Sequence, residues 1–179
     1  AASQVPVLIL NGLLKGENIY SSLCDDTEAV CNATIRLLKS GCKTPLFLYR
    51  ADSFSGTKKK EGFLKALEME EADWSKDQIV MSSGSIRDVQ SLLLDIHKKL
   101  PFDSVLASDD ELAIGALKFA KTAGLSIPDD LSIVGYNNSM LSICCEPELT
   151  SIDNRLEYLC NTSVSLLMNL LNGKTAPDK

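Results

Sequence analysis

The side chains whose types could do chemistry are Asp109 and Asp110, Asn137 and Asn138, and the run Lys58, Lys59 and Lys60, and that chemistry is recognition. Carboxylates, ammonium groups and amides offer acceptors and donors to a polar ligand. Asp109 follows the apolar run Val105, Leu106 and Ala107, whereas Asn137 follows a second apolar run over residues 131–134. Between the two, Leu112, Ala113, Ala116, Leu117 and Ala120 recur at helical spacing, with Ser108, Asp109 and Asp110 to cap the start. Gly124 suits the helix end, and Pro128 forbids continuation. Two buried strands joined by a helix require a parallel pair with a right-handed crossover, and such sheets bind ligands beyond the carboxyl ends of their strands. Those ends are Asp109 and residues 136–138.

The elements that position these groups alternate along the chain. Residues 5–10 read as an apolar strand ended by Asn11-Gly12, so Asn11 is either a site residue at a strand's carboxyl end or a turn residue tolerating left-handed backbone. Residues 19–24 read as a second strand. Asp25, Asp26 and Thr27 then cap a helix carrying Ala29, Val30, Ala33 and Leu37 up to Gly41. A strand at 45–49, a polar loop at 51–56 and a helix at 58–70 follow. In that reading the three lysines occupy the first helical turn, where the dipole disfavours cations. Either they form a solvated face, or one is held for an anionic or polyhydroxyl partner. Further strands are expected at 78–81, 104–107 and 131–134, with a helix at 86–100 whose His97, the chain's one histidine, is expected at the surface. Residues 139–148, with Leu141, Ile143, Cys144 and Cys145, are too apolar for a free loop, and residues 156–171 pattern as an amphipathic helix through Leu159, Val164, Leu166, Leu167 and Leu170.

Composition narrows the function classes. The 179 residues are 45% hydrophobic, which predicts a globular chain, and the net charge of −6 lacks the basic character through which proteins neutralise nucleic-acid phosphates. Six cysteines with no C-x-x-C pair predict free thiols in a reducing cytosol. No window is apolar for long enough to span a bilayer, so no membrane partner is expected. The absence of a Gly-rich phosphate loop, of a Gly-x-Ser-x-Gly elbow and of metal-spaced His and Cys argues against an enzyme, and neither cofactor nor metal is expected.

The run SDDELAIGALKFAKTAGLSIPDDLSIVGYNN at 108–138, followed by Pro147-Glu148-Leu149-Thr150-Ser151-Ile152, closely resembles the effector-binding core of the lactose-repressor/galactose-repressor (LacI/GalR) family of bacterial transcription regulators. The resemblance covers nearly the whole chain. It implies a periplasmic-binding-protein-like (type I) α/β fold, with a mostly parallel sheet flanked by helices on both faces. Of its two lobes the first is incomplete here, and both ends of the chain are expected to be truncated. Residues 1–24 would end the N-terminal subdomain, 25–150 would form the C-terminal subdomain, and 151–179 would cross back. The strand at 5–10 would then lack native neighbours.

The implied function is ligand sensing by a repressor core. A small polar effector, sugar-like or related, binds between two lobes and changes the geometry of a cytoplasmic homodimer, and DNA is reached only through an N-terminal helix-turn-helix outside these residues. The alternative is a solute-binding receptor of a transport system. The effector-binding residues expected are Asn11, where the family commonly carries Asp; Lys59, at the place of a family Arg; Asp109; and Asn137. Lysine at 59 keeps the charge but loses the bidentate fork. Gly84 stands where some relatives stack an aromatic ring on the sugar, and a glycine offers no such face. The dimer contact is expected at the helix after Asp110 and the segment 141–145.

Overall fold

The computed structural model describes residues 5–173. The chain divides into two compact units, one built from its two ends, up to Asp25 and from Arg155 onward, and one comprising Asp26–Asn154.

In the first unit β1 (Val7–Leu10) pairs in parallel with β2 (Ile19–Ser22), with Val7 opposite Ile19 and Leu10 opposite Ser22. The strand expected to lack neighbours is therefore paired within the chain, although Val7 and Leu10 stay exposed. The terminal helix of this unit spans Leu156–Leu171, where the apolar spacing placed it. Its buried residues are Leu159 and Ser163, whereas Val164, expected on the apolar face, is exposed.

The second unit runs α1 (Asp26–Lys39), β3 (Pro45–Tyr49), α2 (Phe54–Met69), a 3-10 turn (Lys76–Gln78), β4 (Ile79–Met81), α3 (Ile86–His97), β5 (Ser104–Ala107), α4 (Asp110–Ala123), β6 (Ser132–Tyr136), α5 (Met140–Cys144) and β7 (Thr150–Ile152). The terminal helix is thus α6. All five strands of this sheet are parallel, in the order β4-β3-β5-β6-β7. Thr150–Ile152, expected as part of a crossover out of this subdomain, forms the fifth strand, paired with β6 through Val134 and Thr150.

Side-chain alternation along the strands builds a core on each face of the sheet. Leu46 and Leu48 of β3, with Val105 and Ala107 of β5, pack on Val89 and Leu93 of α3 and on Leu112, Ala116 and Phe119 of α4. Phe47 and Tyr49, with Leu106, face the other way, onto Val30 and Leu37 of α1 and Phe63 and Leu67 of α2. Phe47 stacks on both Tyr49 and Phe63. Two readings change. His97 is half-buried rather than a surface residue, because its ring meets Phe102 and Phe119 edge-on at 4.8 and 5.3 Å between centroids. Helix α2 begins at Phe54 rather than at residue 58, because Ser53 caps it by accepting the Gly56 amide, so residues 54–56 belong to the helix and not to a loop.

Candidate functional site

The strand order locates the crevice. From β3 the chain moves to β4 on one side and then returns to β5 on the other, so the connections leaving β3 and β5 diverge to opposite faces of the sheet: α2 packs with α1, and α4 with α3. A parallel sheet opens a ligand crevice at such a switch point, outside the carboxyl ends of the strands. Here the β3 side supplies Arg50 and Asp52, and the β5 side supplies Ser108, Asp109 and Glu111.

An ion pair spans the switch point. Arg50 donates from Nε to Asp109 Oδ2 at 3.0 Å and from Nη2 to Asp109 Oδ1 at 3.4 Å, and the same Nη2 donates to Glu111 at 3.0 Å. The Arg50 side chain remains 36% exposed and that of Asp109 20%, so the pair faces solvent in part. The hydrogen bond to Asp109 is the largest influence holding the guanidinium above its ordinary pKa; burial opposes it, and the charges of Asp109 and Glu111 add to it. Asp109 also caps α4, accepting the Leu112 amide at 2.9 Å. The Arg50 amide donates to Ser108 Oγ at 3.3 Å, tying the two sides together.

Behind this pair lies a buried polar network. Lys59 is only 7% exposed, and its Nζ donates to the Ser108 carbonyl at 2.9 Å while standing 3.6 Å above the Tyr136 ring. The Tyr136 hydroxyl donates to Asp26, which also accepts from Ser55. The start of α2 explains this placement. Lys59 lies a full turn inside the helix, beyond the reach of the terminal dipole, and its side chain is directed into the network. Lys60 pairs with Asp52 at 2.8 Å, and Lys58 with Glu61 at 2.7 Å, so the lysine run is used three different ways.

Asn137 follows β6 with φ 98°, and its Oδ1 accepts from Asn154 at 3.0 Å. Asn138 is left-handed too (φ 47°), and such backbone suits asparagine better than most residues. Asp110, next to the capping Asp109, is buried. Its carboxylate accepts from the Ser139 amide and hydroxyl, both at 2.7 Å, and from Ser151 at 2.6 Å, which fixes the loop after β6. Gly135 permits this, since a Cβ there would stand 2.3 Å from Asp110 Oδ1.

Of the four residues expected from the sequence, Lys59, Asp109 and Asn137 lie at the carboxyl edge of this one sheet. Asn11 belongs to the first unit, where it takes φ 46° and its Oδ1 accepts the Cys24 amide at 3.2 Å. The sequence reading does not single out Arg50, Asp26 or Tyr136 as effector-binding residues. Arg50 carried a usable signal, because it directly follows an apolar strand, the same criterion that singled out Asn11. In the sequence Asp26 reads only as a helix cap, since Ser55 and Tyr136 lie 29 and 110 positions away. A cavity of about 640 Å³ lies elsewhere, beside β6 and β7 against α1, and its lining of Ala33, Leu37, Val134 and Ile152 includes none of these polar groups.

Residues 34–179 match the family described as periplasmic binding protein-like domain. The chain is 44% identical over its whole length to an HTH-type transcriptional regulator of Lachnoclostridium phytofermentans, covering 54% of that protein. It is 27% identical to catabolite control protein A of Priestia megaterium, covering 97% of this chain and 53% of the relative. Among solved structures, a LacI family transcriptional regulator from Enterococcus faecium with bound ribose superposes with a TM-score of 0.81 at 26% identity, over 93% of this chain and 62% of that one. The chain spans about half the length of the curated relatives it matches. On its sheet order, its family match and its similarity to a regulator along its full length, the chain belongs to the LacI/GalR family as a periplasmic-binding-protein-like core.

Proposed function

We propose that the chain is the ligand-sensing core of a cytoplasmic LacI-type transcriptional repressor, which binds a small polar effector of carbohydrate type and thereby changes the geometry of a homodimer whose DNA-binding headpiece lies outside these residues. The observation that carries this reading is the Arg50–Asp109 pair, which spans the switch point of a sheet whose relatives are regulators. A partly exposed guanidinium and carboxylate present donors and acceptors side by side, an arrangement suited to vicinal hydroxyls. Asn137 extends the same edge. Similarity to an HTH-type regulator favours this reading over a transport receptor.

Asp109→Asn tests it, because asparagine keeps the N-cap acceptor but removes the charge paired with Arg50. In a full-length protein containing this chain, calorimetry against ribose and a panel of pentoses, hexoses and disaccharides should find a saturable ligand. The variant should bind that ligand about tenfold more weakly, the loss expected for a charge-assisted hydrogen bond. The same ligand should alter retention of promoter DNA in a mobility-shift assay. A protein whose DNA retention no carbohydrate changes, or a variant with unaltered affinity, would refute the proposal.

A further inference from the structure

We infer that the effector accepted at the β3–β5 crevice is an uncharged or cationic, hydroxyl-bearing molecule, and that phosphorylated sugars and sugar acids are rejected there. This rests on the sensing role proposed above and concerns the charge of what is sensed. Three helix N-termini, those of α1, α2 and α4, bring their elements to this network, and helix N-termini ordinarily attract anions. In this chain each already carries an acceptor of its own in its cap or first turn. Asp26 opens α1 and is held by Ser55 and Tyr136; the Ser53 hydroxyl caps α2; Asp109 caps α4, with Asp110 and Glu111 in its first turn.

The cations are committed as well. Arg50 is shared between Asp109 and Glu111, Lys60 is paired with Asp52, and Lys59 is buried on the Ser108 carbonyl and the Tyr136 ring. The carboxylates Asp26, Asp52, Asp109 and Glu111 thus outnumber the cations Arg50, Lys59 and Lys60. Arg87, exposed in the first turn of α3, follows the edge strand β4 rather than either crevice strand. An entering phosphate or carboxylate would have to displace Asp109 or Glu111 from the guanidinium and then remain beside the displaced group, and like charges at close range are strongly unfavourable. A pair of hydroxyls avoids that conflict. One accepts from an Arg50 N–H while the other donates to Asp109, and the ion pair stays intact.

The test uses matched probes on a full-length protein containing this chain: ribose against ribose 5-phosphate, glucose against glucose 6-phosphate and glucuronate, with glucosamine as the cationic member. The best neutral or cationic probe should bind about tenfold or more tightly than its anionic counterpart. Glu111→Gln, which removes one of the two carboxylates on Arg50, should narrow that gap severalfold without destroying binding of the neutral probe. An anionic probe that binds as tightly as its neutral counterpart, or a gap unmoved by Glu111→Gln, overturns the charge assignment and leaves the sensing role standing. Absence of binding by every one of these probes and by the wider panel of pentoses, hexoses and disaccharides overturns the sensing role and this inference with it.

Discussion

Lys59 and Tyr136 show how one position can retain a charge while changing its use. Where the family resemblance places an effector-facing arginine, this chain carries a lysine whose ammonium is turned inward, onto a main-chain carbonyl and an aromatic face. Lysine suits that task, being a compact point charge on a flexible stem, whereas a planar guanidinium would demand a fork of acceptors. Lys59→Met should therefore act first on stability. Losing a buried hydrogen bond from a charged donor costs about 1.5–3 kcal/mol, and urea unfolding would show it. Tyr136→Phe keeps the ring beneath the ammonium but removes the hydroxyl that Asp26 accepts, so it should cost a similar amount through a different bond. A Lys59→Met protein unfolding within about 0.5 kcal/mol of the parent, the range of ordinary surface changes, would mean the lysine is a solvated residue after all. None of this network was legible residue by residue. The partner carbonyl of Lys59 is 49 positions away in sequence and Asp26 is 110 from Tyr136, separations that only the parallel sheet closes.

At the scale of elements, what the sequence disclosed depended on how local the signal was. Helix α4 could be placed from Asp109 and Gly124 alone, because an N-cap and a left-handed C-cap are set by neighbouring residues, and both appear as expected, with Gly124 at φ 72°. The sequence places helix α2 too late, since Ser53-Phe54-Ser55-Gly56 looks like a polar loop until the Ser53 cap is seen. Strand β7 escapes the sequence reading for another reason. Three residues carry no periodicity, and Thr150–Ile152 is a strand only because β6 lies beside it. Arg50 falls between the expected strand at 45–49 and the expected loop at 51–56, and its meaning lies in Asp109, across the crevice. Packing between elements also rests on residues with no pattern of their own. A Cβ at Gly62 of α2 would stand 2.3 Å from the Thr27 carbonyl in the first turn of α1, and a backbone atom cannot rotate away. Gly62→Ala should therefore push α1 from α2 and destabilise the second unit by about 1–3 kcal/mol, as overpacking does. Thermal unfolding should register that as a lower midpoint, against the small gain expected of alanine in an unconstrained helix. An unchanged or raised midpoint would show that the two helices are not held in contact at Gly62.

For the molecule as a whole, the question is how the crevice could influence assembly, and Asp110 supplies a physical connection. It is the neighbour of the residue that pairs with Arg50. Its carboxylate holds Ser139, the cap position of α5, together with Ser151 of β7. Helix α5 in turn presents Met140 at 77% exposure and Ile143 at 64%, with Leu141 also exposed, a concentration of apolar surface on one short element. Such a patch marks an interaction site on a soluble domain, and a twofold contact would bury it on both copies at once. The proposed homodimer would use this surface, along with α4. A shift at Asp109 would then reach the proposed dimer contact through adjoining residues of one helical turn, a contiguous linkage of packed groups through which coupling can pass. Ile143→Asp should convert the dimer to monomer in sedimentation velocity, because it places a charge at the centre of the apolar contact, where desolvation is costly. Carbohydrate affinity should change little, since Ile143 lies outside the crevice. Sedimentation as a monomer by the unsubstituted protein at high concentration, or persistence of the dimer in the Ile143→Asp variant, would remove α5 from the interface and leave Asp110 a purely internal tie between the loop after β6 and Ser151 of β7.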